Sequence, residues 1–195
     1  MVLGADGLHS RTRALLFGPE EQFYRYLGYC FAVFTMRNTF GLTRETAGRE
    51  VPGMLAALRE ADGLFFDGAG QIRMPRWSSG RAALVGDTAS APSFLTGQGT
   101  SLALVGACPL AGSPAGRDRT AGFAAYEHCS RAFVALNQAQ AGHGGATLVP
   151  TTARALEQRN TMLRGLATRP ATEGRPAHSA LTRPDFAQRP EHDYC

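Results

Sequence analysis

A short apolar run, Ala82 to Val85, ends in Gly86-Asp87-Thr88-Ala89, and past Pro92 the chain reaches Gly97-Gln98-Gly99-Thr100-Ser101 and then a stretch that is nearly all apolar to about Ala111. No other part of the sequence restricts the fold as much. The run reads as a strand that delivers Asp87 to the end of a sheet, where open α/β folds hold their ligands. An aspartate at that place can accept hydrogen bonds from a sugar-like hydroxyl chain. The Gly97–Ser101 loop turns a helix N-terminus, with its free N–H groups and positive dipole end, toward an anion, a phosphate or a polarised carbonyl. The plainer alternative is a glycine loop that only caps its helix.

A second turn of the same kind stands near the start, in Gly4-Ala5-Asp6-Gly7-Leu8-His9-Ser10-Arg11-Thr12-Arg13. Met1 to Leu3 reads as the end of a strand, and Ser10 to Phe17 as a short helix with Ser10 as its N-cap. Glycines beside the aspartate let the backbone turn sharply and approach a ligand closely. Alone, Asp6-Gly7 is no more than a strand-to-helix turn. Two glycine–aspartate turns with matched helices rarely coincide, and together they favour a ligand site.

The rest of the chain is read more coarsely. Phe23 to Met36 is aromatic and β-branched and predicts one or two strands; residues 37–50 are polar and aperiodic; Val51 to Ala61 is a short helix stopped by Gly63. Leu64 to Phe66, Gln71 to Trp77 and Arg81 to Val85 predict three short strands. The apolar run from Gly97 predicts a buried helix that Pro109 ends early, near Cys108, since proline inside a helix costs ~3 kcal/mol. Phe123, Tyr126, Phe133 and Val134 mark one amphipathic helix; Ala153, Leu156, Leu163 and Leu166 mark another, capped by Thr151 or Thr152. From Pro170 the chain is Pro-rich and polar, so residues 1–169 are expected to form the domain and 170–195 a disordered tail.

Composition excludes several classes. The formal charge of +4 comes from scattered arginines with no basic stripe, which argues against a nucleic-acid surface. The four cysteines lack metal or redox spacing, the five histidines lack zinc spacing, and no apolar stretch can span a bilayer. No signal peptide opens the chain, and a cytoplasmic setting is the expectation. No metal site and no residue acting as acid, base or nucleophile stands out.

The two motifs carry a resemblance. GADGLHSRTR is similar to the second flavin motif of the FAD-dependent monooxygenases of the para-hydroxybenzoate hydroxylase type, and WSSGRAALVGDTASAPSFLTGQGTSLALVGA resembles their third. The order is right, and the likeness covers most of residues 1–167. It implies an α/β fold, or α+β in what remains: a partial FAD/NAD(P)-binding Rossmann-like fold with a few strands and three C-terminal helices. It further implies FAD as cofactor, NADPH or NADH as co-substrate, and hydroxylation of an aromatic or polyketide-like substrate with O₂. By position, Asp6, Gly7 and Arg13 would lie near the pyrophosphate and the nicotinamide path. Gly86 and Asp87 would bind the ribityl chain, while Pro92, Gly97, Gln98 and Gly99 would line the isoalloxazine ring.

Departures from the family are as informative. No Gly-x-Gly-x-x-Gly unit is present, residues 37–50 replace most of a substrate-binding sheet, and Thr88 stands where the family usually has alanine, adding a hydroxyl against the flavin. The expectation is a truncated chain that is inactive alone or depends on a complementary flavin-binding chain. Rival readings are a non-catalytic helical interaction module built on Gly97 to Ala167, a basic helical nucleic-acid binder, and a decayed gene product.

Overall fold

The computed structural model describes residues 1–37, 51–112 and 119–165. They divide into two compact units: one contains Met1–Leu27 and the chain from Gly70 onward, the other Gly28–Ala69. The expected boundary at 169–170, the tail, Leu166 and most of the 37–50 segment lie outside the described residues.

The first unit is mixed α/β. Strand β1 (Val2–Gly4) leads into helix α1 (Arg11–Phe17), whose N-cap is Ser10 as expected: its hydroxyl accepts the Arg13 N–H at 2.9 Å. Strand β5 (Ala82–Leu84) pairs parallel to β1, with Val2 opposite Ala82 and Gly4 opposite Leu84, and β4 (Ser78–Ser79) pairs antiparallel on its other side. The sheet order is therefore β1-β5-β4, and β5 is buried at every position because it is central. The parallel register brings both glycine–aspartate turns to the same end of the sheet.

After β5 come a short helix α3 (Asp87–Ser90), a 3₁₀ turn at Phe94–Thr96 and helix α4 (Gly99–Gly112). Helix α5 (Arg119–Ala139) packs along α4, and the brief helix α6 (Ala141–Leu148) lies against the 3₁₀ turn. Helix α7 (Ala153–Gly165) follows, with the Thr152 hydroxyl accepting the Ala155 N–H at 3.1 Å. The core joins Phe23, Ile72, Met74, Trp77, Leu84, Ala89, Leu102, Tyr126, Phe133 and Val134, so the stripe expected on α5 is the one that is buried. Tyr126 also donates its hydroxyl to the Leu84 carbonyl at 2.9 Å, tying α5 to the middle strand.

Strand β2 (Tyr24–Val33) and strand β3 (Phe65–Ile72) form a two-stranded sheet. In the second unit this ribbon carries the Phe31 and Phe65 rings 5.9 Å apart, and the unit also holds helix α2 (Val51–Arg59). A cavity of about 570 Å³ there is lined by Thr35, Arg37, Ala57, Glu60 and Asp62, among others.

Four expectations need correction. Leu64–Phe66 and Gln71–Trp77 are not separate strands: β3 runs on through Asp67-Gly68-Ala69-Gly70. Gly70 marks a close approach, since a Cβ there would lie 2.2 Å from the Tyr24 ring. Pro109 does not end α4, which continues to Gly112; Pro109 is buried, and packing of α4 on α5 outweighs the lost backbone bond. Helix α4 is not buried all round either: Leu104 is 67% exposed, and Ala107, Cys108 and Ala111 share its open face. A helix apolar on every side carries no pattern telling which side packs. Lastly, the stripe on α7 is open, with Ala153, Leu156 and Leu163 all exposed.

Candidate functional site

At the shared end of β1 and β5 the two turns are bonded to each other. The Thr88 hydroxyl accepts the Gly7 N–H at 2.9 Å and lies 3.4 Å from Asp6 Oδ1 and 3.3 Å from the Gly7 carbonyl. Thr88 is fully buried, so its hydroxyl is spent within the protein, between the turns. From below, Arg13 reaches up from α1: Nη1 donates to the Thr88 carbonyl at 3.1 Å, and Nη2 donates to the Leu8 carbonyl at 2.6 Å and to Glu20 Oε2.

Arg13 is 0% exposed, and its Nε has no partner among the described residues. Burial lowers its pKa, opposed by the carboxylates of Glu20 and then Asp6. Guanidinium remains charged in proteins, so the effect is a buried cation fixed to its carbonyl and carboxylate partners. Glu20 also meets His9 Nδ1 at 2.7 Å, and the His9 ring stacks on Tyr24.

Asp6 is committed to its own helix. Oδ1 accepts the Ser10 hydroxyl at 2.6 Å and Oδ2 accepts the Thr12 N–H at 3.0 Å. Partial desolvation works to raise its pKa, but the bonds from Ser10 and Thr12 prevail and hold the carboxyl well below the usual range. Asp6 therefore stays ionised and fixes the angle at which α1 leaves the turn.

Asp87 is different. It opens α3 after Gly86 (φ 67°), its side chain is exposed, and among the described residues its carboxylate has no hydrogen-bond partner. Neighbouring protein still desolvates it enough to raise its pKa. A Cβ on Gly99 would sit 3.8 Å from Asp87 Oδ1, so the acceptor faces the first residue of α4. Gly97 (φ 65°) is left-handed with open space where a side chain would be, and Gly86 lies against Ala103, at 3.2 Å from its would-be Cβ. Any side chain at these two glycines would strain the loop or block the approach to the start of α4.

The loop between Asp87 and Gly99 is held from behind. Gln71 Nε2 donates to the Pro92 carbonyl at 3.1 Å and to the Gln138 carbonyl at 2.7 Å. Gln138 Nε2 in turn donates to the Ile72 carbonyl at 2.8 Å. Pro92 is buried, Ser93 takes a positive φ of 79°, and the Thr96 hydroxyl accepts the Gln98 N–H at 3.2 Å. Backbone in a costly region, pinned by buried amides, is typical of a ligand-binding loop.

Of the residues singled out in the sequence, Asp6, Gly7 and Arg13 thus adjoin Gly86 and Asp87 through Thr88, while Gly97, Gln98 and Gly99 form the lip opposite Asp87. Sequence reasoning missed the bridging hydroxyl of Thr88, the strained Ser93 and the two buried glutamines. The only hint of the last pair was polar side chains inside otherwise apolar stretches. Among the described residues no cluster of histidine, cysteine or acidic side chains could hold a metal ion.

These features define a class, the FAD-binding hydroxylase fold, and comparison with known proteins agrees. No family model matches the chain. A tetracycline destructase, Tet(55), has 29% sequence identity and superposes with a TM-score of 0.72 over 95% of this chain and 62% of its own. HpxO of Klebsiella pneumoniae, in a complex with FAD and uric acid, shares the fold at 20% identity and a TM-score of 0.59, covering 85% of this chain and 56% of its own. A flavin-dependent monooxygenase from an unknown prokaryotic organism is 30% identical in an alignment that covers 85% of this chain and 58% of the relative. An uncharacterized protein of Mycobacterium tuberculosis (strain ATCC 25618 / H37Rv) is 36% identical in an alignment that covers 71% of this chain and 52% of that one. The chain belongs to the FAD-dependent monooxygenase family, and it spans about half the length of the curated relatives it matches.

Proposed function

We propose that the chain binds FAD where the two turns meet and serves flavin-dependent hydroxylation with NADPH or NADH as reductant. The observation that carries this reading is Asp87: an exposed carboxylate without a protein partner among the described residues, facing a glycine lip at the start of a helix. Bound FAD would supply the redox and oxygen chemistry. The chain's own residues would hold and orient it. Asp87 would accept hydrogen bonds from the ribityl hydroxyls. Gly97, Gln98 and Gly99 would border the ring, with Pro92 buried behind them to hold the loop, and the N-terminal end of α4 would favour negative charge there. Asp6, Gly7 and Gly86 would shape the turns, with Arg13 positioning them from beneath.

We further propose that hydroxylation depends on a complementary flavin-binding chain. In support, among the described residues β1 is an edge strand whose Val2 and Leu3 are about half exposed, an open pairing edge beside the two turns. Flavin fluorescence, followed as the purified chain is added, tests the binding. Oxidation of NADPH by the same sample, with and without proteins that co-purify, tests the dependence. Turnover by the chain alone would refute the partner requirement, and absence of any flavin binding would refute the first proposal.

A further inference from the structure

Away from the turns, the end of β3, the segment leading to β4 and helix α5 enclose a cleft of about 120 Å³. Its walls are mainly apolar, Met74, Trp77, Val134 and Ala135 among them, with Ser90 and Gln138 as polar members, and two guanidinium groups border it, those of Arg73 and Arg131. The two arginines are not equivalent. Arg131 is consumed by structure: it donates to the Met74 carbonyl at 3.3 Å, the Pro75 carbonyl at 2.6 Å and Glu127 Oε2 at 2.7 Å, and its guanidinium lies 4.7 Å from the centre of the Trp77 ring. Glu127 is fully used as well, its Oε1 accepting the Trp77 N–H and the Ser78 hydroxyl.

Arg73 has no carboxylate partner among the described residues. Its Nε and Nη2 both donate to the single neutral acceptor Gln71 Oε1, at 3.0 and 2.9 Å. Partial desolvation and then the like charge of Arg25 weaken its hold on its proton. A cation placed beside another cation, at the mouth of an apolar cleft, is stabilised by an anion that brings an apolar body with it.

We infer that this cleft binds a small organic carboxylate, its apolar body against Val134, Ala135 and the edge of Trp77 and its carboxylate on Arg73 at the rim beside Arg131. The site is separate from the proposed flavin site and does not rest on it. The cleft has room for one ring or a short chain, so a nucleotide is too large. Phosphate would meet the charge and leave the apolar walls unused.

Trp77 is the chain's one tryptophan, and it reports on the cleft directly. Benzoate is titrated into the full chain at constant ionic strength, with chloride and inorganic phosphate as separate arms, and tryptophan emission is followed. Benzoate should give a saturable change that neither chloride nor phosphate matches. Arg73→Gln should weaken it about tenfold or more, the loss expected for one charge-assisted hydrogen bond. Ala135→Leu, which fills the cleft and leaves both charges, should abolish it. Both positions are exposed, so the variants should keep wild-type melting curves. A non-saturating response, an unchanged affinity in either variant, or an equal response to phosphate or chloride overturns the inference.

Discussion

The hydroxyl of Thr88 accepts the backbone N–H of Gly7 at 2.9 Å, across 81 positions of sequence. That bond, with the Arg13 guanidinium on the Thr88 carbonyl, makes one structure of two turns that are each ordinary alone. It also corrects the expectation that the hydroxyl at position 88 would stand against a flavin: it is turned to the neighbouring turn and buried there.

Thr88→Val keeps the volume and removes the acceptor, leaving the Gly7 N–H without its partner. The expected loss is about 1–2 kcal/mol of unfolding free energy, read as a lower urea midpoint with unchanged slope. An unchanged midpoint would mean that the turns are joined by something else.

Arg13 is a harder test. Arg13→Met removes a buried cation whose loss strands Glu20 and two carbonyls, and about 3 kcal/mol or more of stability should go with it. Arg13→Lys should recover little, because an ammonium cannot span all three acceptors. Full rescue by lysine in a thermal melt would contradict the geometry.

Asp6 and Asp87 predict opposite behaviour in acid. The folded-state pKa of Asp6 lies below its ordinary value of 3.8, so its contribution to stability is complete above that pH and is lost as pH falls through the lower folded value. Asp87 has a raised folded-state pKa, so the carboxylate form is what folding disfavours, and Asp87 protonates above pH 3.8. On descending pH, flavin affinity should therefore fall before the fold does. Asp6→Asn should flatten only the later, acid-side loss of stability. Coincident loss of binding and of helical circular dichroism would argue against Asp87 as the acceptor.

Leu104→Gln tests the open face of α4. At 67% exposure, the substitution should move stability by no more than about 0.5 kcal/mol. A drop of several kcal/mol would show that the face is covered in solution.

Much of this site was legible because its signals are local. Ser10 as a cap, Asp87 at a strand end and Gly97 before a helix each follow from residues a few positions apart. What escaped was non-local. Nothing near Thr88 reveals that Gly7 is its partner, and nothing near Gln71 or Gln138 reveals the carbonyls that their amides bond. Gly70 reads as a turn because glycine has that use most often, whereas here it makes room for the Tyr24 ring. Helix α6 was unforeseen, its sequence Ala141-Gly142-His143-Gly144-Gly145 being poor in helix formers and rescued by packing on the 3₁₀ turn and α5. The exposed sides of α4 and α7 went unforeseen for the opposite reason, since apolar residues on a helix show that a face could pack and not that it does.

The most direct measurement is FAD affinity of the wild-type chain beside Asp87→Ala, by equilibrium dialysis on samples shown to be equally folded. The account predicts that the wild type retains flavin and that the variant loses about tenfold or more in affinity, since the ribityl hydroxyls lose a charged acceptor. Equal retention by both, or retention by neither, would contradict the claim that the joined turns form a flavin site centred on Asp87.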